Sequence, residues 1–214
     1  MEKINKLFAH RFFKILKWAV LVLAGLYIAA VIARAAYLVQ KHFADLKTDA
    51  AVEKIHNTKL TLDDVLGANL PPDPGAAADQ TIAGVDANNN GIRDDVELAI
   101  FKAYPNSAKT RAVLLQYALT LQLEMTLPVL NTDTVTAVIA DNNTRAHICI
   151  WSITSRSDEK KYIAETDKNE KFVENLQLNN EQRKNYLDND VYNYLRSYSA
   201  SHGGCDLDLS TLPN

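Results

Sequence analysis

The longest apolar stretch in the chain runs from Trp18 to Ala33 without a charge, and with Arg34 snorkelling it extends to Val39. About 20 helical residues, each rising about 1.5 Å, cross a hydrocarbon core about 30 Å thick. A buried helix of a water-soluble domain would carry a polar stripe, and none appears before Arg34. Residues 18–39 therefore read as a transmembrane helix, with Trp18 and Tyr37 suited to the two interfacial belts. Beyond it, Phe43, Leu46, Ala50 and Ile55 recur at near-helical spacing, which predicts an amphipathic stalk over 40–65.

The pattern breaks at "LGANLPPDPGAAADQT". Pro71, Pro72 and Pro74 donate no backbone hydrogen bond and push the residues before them towards extended conformations. Residues 66–81 read as a Pro/Gly linker, followed by an exported helical domain over 82–214. In that domain Val96, Ile100 and Tyr104 (or Leu98 and Phe101) define a helical face that Pro105 ends. Val113, Leu114, Tyr117, Ala118, Leu121 and Met125 form a broad face as far as Pro128. Asn131 or Thr132 suits the cap of a third helix through "TDTVTAVIA", with a break expected near "DNNT". The segment "RAHICIWSIT" suits a strand or a buried helix, and helix is the preferred reading. A charge-dense region follows from Asp158 to Glu174, anchored by Tyr162, Ile163, Phe172 and Val173. Leu187, Val191, Tyr194, Leu195 and Tyr198 predict a last helix ending at Gly203-Gly204, with "DLDL" as a solvated tail. The expected fold is mainly α: one transmembrane helix, a linker, and a small helical domain with a single EF-hand-like loop.

Charge changes the picture mostly at the N-terminus. Lys3, Lys6, Arg11, Lys14 and Lys17 precede the apolar run against Glu2 alone, making 1–17 a basic segment. The positive-inside bias places that segment in the cytoplasm and the body across the bilayer. Ala33-Arg34-Ala35 also fits a small-x-small cleavage site, so secretion after cleavage near Ala35 is the alternative. Over all 214 residues the net charge is only -3, and no basic stripe or nucleic-acid motif is present. Cys149 and Cys205 both lie in the exported part, where an oxidising compartment favours a disulfide. Two free buried thiols, or zinc shared with His147 and His202, remain open alternatives.

Chemistry concentrates in "GVDANNNGIRDDVE". Numbered from Asp86, a calcium loop asks for oxygens at places 1, 3, 5, 9 and 12, glycine at 6 and a backbone carbonyl at 7. Asp86, Asn88, Asn90, Asp94, Glu97, Gly91 and Ile92 fill those places. Calcium takes six to eight oxygens at about 2.3–2.6 Å, a density that alternate side chains on a tight loop supply. Arg93 stands at place 8, where an apolar residue is usual, and two of the first three ligands are neutral amides. Weak binding, in the roughly 10⁻⁴–10⁻³ M range of extracellular modules, is the expectation. The competing reading needs no metal: "NNNG" makes a turn, and Asp94 with Glu97 makes a capping box for the next helix.

Lacking a helix on its entering side, the loop resembles those of dockerins and thrombospondin type 3 repeats. Leu70 to about Ile100, "LPPDPG" followed by "AGVDANNNGIRDDVE", resembles a module of uncharacterised bacterial cell-envelope proteins. That resemblance implies a bacterial envelope setting and a calcium-binding loop, and names no activity. No H-E-x-x-H pair, G-x-S-x-G elbow or glycine-rich phosphate loop occurs. The sequence thus points to an inner-membrane protein with a periplasmic domain, held by the lipid bilayer, stabilised by Ca²⁺, and binding or scaffolding an envelope protein. An envelope enzyme, or its accessory subunit, without a recognisable motif is the alternative.

Overall fold

The computed structural model describes residues 2–127, 132–194 and 203–214, with the backbone alone for 2–10, 132–140 and 194. The expected positions of Pro128, Asn131, Leu195, Tyr198 and His202 lie outside the described residues. The chain divides into two units, Met1–Lys47 and Thr48–Asn214.

Helix α1 (Glu2–Asn57) carries the apolar run. From Arg11 to Lys47 every side chain is exposed. Residues Arg11–Asn57 include the one helix, among the described residues, long and apolar enough to cross a membrane. So long an apolar surface facing outward suits hydrocarbon rather than water.

The second unit is mainly helical, with no strand among the described residues. It contains α2 (Leu62–Leu66), a 3₁₀ turn (Gly75–Asp79), α3 (Asp94–Ala103), α4 (Ala108–Thr126), α5 (Thr132–Ser152), α6 (Glu159–Gln177) and α7 (Glu181–Tyr186). At its centre is α4, packed against α2, α3, α5 and α6. All six apolar residues that defined its predicted face are buried. Arg111, Gln116, Thr120, Gln122 and Glu124 are buried as well, so α4 is covered on most of its surface, and several of these side chains find partners elsewhere in the chain. Arg111 donates to the carbonyls of Val65, Tyr104 and Pro105. Gln116 donates to Gly204 and accepts from the Asp206 N–H.

Two further arginines, Arg93 and Arg183, are completely buried. Arg183 donates to the carbonyls of Ala78, Thr81 and Ile82 and pairs with Asp79. The segment from 66 to 81 thus lies inside the second unit, with its turn carbonyls held by one guanidinium. Arg93 donates to the carbonyls of Leu176 and Gln177 at the end of α6 and pairs with Asp95. Those carbonyls are ones that a helix C-terminus leaves open.

Several local expectations change. Helix α5 runs through "DNNT" without a break and takes in "RAHICIWS". Asn143, a poor helix former, is held by donating to Glu124 of α4 at 2.8 Å, so tertiary contact overrides propensity. Ile163, an expected anchor of α6, is exposed. After α7 the backbone opens into a π turn (Leu187–Val191) and a 3₁₀ turn (Tyr192–Tyr194), while Leu187 and Val191 are buried as their spacing predicts. Nor is the start of "DLDL" a solvated tail. The Asp206 side chain is nearly covered, paired with Arg145 and Lys59, and accepts the Leu60 N–H. Beside it, Cys149 and Cys205 form a disulfide with their Cα atoms 4.7 Å apart.

Candidate metal centre

The loop enters from bends and the short 3₁₀ turn and leaves directly into α3. Gly91, at φ 84°, turns the chain in the left-handed region, and a Cβ there would stand 2.8 Å from the Leu119 side chain. Asn89 also has positive φ, at 57°. Around this bend the polar side chains fold back on the backbone. The Asp86 carboxylate accepts the N–H groups of Asn90 and Gly91 at 3.1 and 2.9 Å. Asn90 Oδ1 accepts the Ile92 N–H at 2.9 Å, and the Ile92 side chain enters the core. Asn88 Oδ1 accepts the Asn90 N–H at 3.4 Å.

Asp94 is the first residue of α3, and Arg93 occupies the cap position without a capping side-chain bond. The Asp94–Glu97 capping box of the competing metal-free reading is therefore absent. Instead both Asp94 oxygens accept the Ala87 N–H, at 3.0 and 3.2 Å, while the Asp94 N–H donates to Val85. Residue 94 thereby closes the loop across its base. Burial raises the Asp94 pKa, opposed by the Ala87 bond and reinforced by the charges of Asp86 and Asp95.

Glu97, one turn into α3, is 1% exposed. Burial pushes its carboxyl up to about 7, opposed by the Asn88 amide that donates to it and by the nearby Asn90 amide, which approaches without forming a hydrogen bond, while Asp64 and Asp94 push the same way as burial. Asn88 Nδ2 donates to Glu97 Oε2 at 3.1 Å and to the Asn69 carbonyl at 2.9 Å. Asn90 Nδ2 is buried and has no hydrogen-bond partner. An unpaired buried amide donor costs about 1–3 kcal/mol, and the opposite amide orientation would present its oxygen instead. The donor set, carboxylate and amide oxygens with no sulfur or imidazole, fits a hard cation such as calcium.

Asp86, Asn88, Asn90, Asp94 and Glu97 are thus interlinked around one bend, directly or through the backbone. Among the described residues, no group of three or more His, Cys, Asp or Glu side chains stands in a metal-holding arrangement. The disulfide takes both sulfurs from any zinc site, and His147 pairs with Glu170 at 2.7 Å. Sequence reasoning missed Asn69 and Asp64, which approach the loop from outside it; nothing in the local pattern signals a partner so far away in the chain. A second polar cluster surrounds Glu124, which accepts from Asn143 and from the Tyr192 hydroxyl. No protein-family model, curated protein or solved structure matches the chain.

Proposed function

We propose that this chain is a single-pass protein of the bacterial inner membrane, with its basic N-terminus in the cytoplasm. Its helical periplasmic domain is stabilised by one Ca²⁺ ion and acts as a binding or scaffolding component of the envelope. Asp86, Asn88, Asn90, Asp94 and Glu97 supply side-chain oxygens, and Ile92 supplies a backbone carbonyl. The observation that carries the reading is the buried Glu97 carboxylate facing the Asn88 amide, with the partnerless Asn90 amide beside them. A carboxylate removed from water calls for a compensating positive charge.

In this role the ion holds the entering loop against the first turn of α3 and thereby fixes the geometry of the domain's start. With two neutral ligands, affinity falls in the roughly 10⁻⁴–10⁻³ M range, suited to a structural ion outside the cytoplasm. The test is thermal denaturation of the full chain with and without calcium. Wild type gains melting temperature with calcium, and Asp86→Ala or Glu97→Ala abolishes the gain. An unchanged calcium response in both variants overturns the assigned ligands.

A further inference from the structure

Asn88 Nδ2, the electropositive end of its amide, stands 2.9 Å from the Asn69 carbonyl oxygen and 3.1 Å from Glu97 Oε2. One partial positive charge therefore lies between a backbone carbonyl and a buried carboxylate. Asp64, on α2, adds negative charge on the Glu97 side. The turn that brings Asn69 there is built into the chain: Gly67 ends α2 at φ 77°, and the N–H groups of Gly67 and Ala68 both return to Asp63.

From this geometry we infer that the Asn69 carbonyl is a further oxygen ligand of the calcium site, contributed from outside the loop. The inference rests on the calcium reading of Asp86 to Glu97. A cation bound by Asn88 Oδ1 requires that amide to turn, which withdraws Nδ2 from Asn69 and leaves the carbonyl without its donor. The ion replaces the lost donor. Asp94 has both oxygens on the Ala87 N–H, and both Asp86 oxygens also accept backbone N–H groups, so the loop gains from an oxygen supplied elsewhere. Calcium accommodates this because it takes six to eight oxygens in flexible geometry. The consequence is mechanical: one ion ties the turn after α2 to the first turn of α3.

Carbonyl ¹³C NMR on the full chain in detergent micelles tests this. Asn69 and Ile92 are labelled at their carbonyl carbons, and CaCl₂ is titrated in. Both resonances are expected to move downfield together and saturate at one equivalent of bound ion, with both shifts lost in Glu97→Gln. Movement of Ile92 with Asn69 unchanged overturns the Asn69 ligand and leaves the calcium site standing. If neither carbonyl moves up to several millimolar calcium, the calcium reading falls as well.

Discussion

Glu124 is a carboxyl placed where ionisation is costly. Burial on all sides raises its pKa from 4.5 to about 7, against the opposing pull of Asn143, Tyr192 and His147. In the unfolded chain the proton leaves near 4.5, whereas the folded chain holds it to about 7. Stability is therefore fully present below the unfolded value and is lost as pH rises through that window, by on the order of 3 kcal/mol. Glu124→Gln should remove this dependence, so chemical denaturation at pH 5 and pH 8 would show the variant gaining on wild type only at the higher pH. Equal differences at both values would contradict the buried, proton-holding carboxyl. Arg183 is the reverse case, a buried cation whose charge is spread over three carbonyls, Asp79 and Asn179. Arg183→Met keeps much of the aliphatic stem but leaves those acceptors unpaired, and should cost about 3–5 kcal/mol in urea denaturation. A loss well under 1 kcal/mol would mean that water reaches them freely.

At the level of elements, the disulfide and Asp206 act together to hold the segment after residue 203 against α4 and α5. Cys149 and Cys205 are 56 residues apart, and closing a loop of that size stabilises by about 4 kcal/mol in the chain-entropy model. Reduction should lower the urea midpoint accordingly, and an unchanged midpoint would show that packing alone retains the strap. The helices of this unit were legible because their apolar residues recur at the helical period, as Val113 to Met125 do in α4. The ends were less so. "DNNT" has the composition of a break, yet Asn143 finds its partner on α4, and that partner is set by packing rather than by neighbours in sequence. Residue types and spacing marked out Asp86 to Glu97, but not the direction of Asp94, which bonds backward to Ala87 instead of capping α3. Nor did they foretell that Arg93 would leave the loop for the end of α6, more than eighty residues away.

For the whole molecule, the apolar part of α1 and the helical unit imply different surroundings. The first exposes Phe12, Trp18, Leu23, Tyr27 and Ile32, which water would not tolerate in such density. The second buries a continuous core from Ile55 to Leu212. In cells producing the full chain, the protein should stay with membranes through an alkaline carbonate wash, and protease added to spheroplasts should reach residues 48–214. Release by carbonate would remove the anchor; protection from protease until the inner membrane is lysed would reverse the proposed orientation. The central claim, that one cation completes the loop before α3, is tested most directly by calorimetric titration of the purified full chain with calcium, paired with melting curves in calcium and in EDTA. The account predicts one-to-one binding with a higher melting temperature in calcium. No heat and no shift up to several millimolar calcium would contradict it, leaving the loop as a turn closed by Asp94.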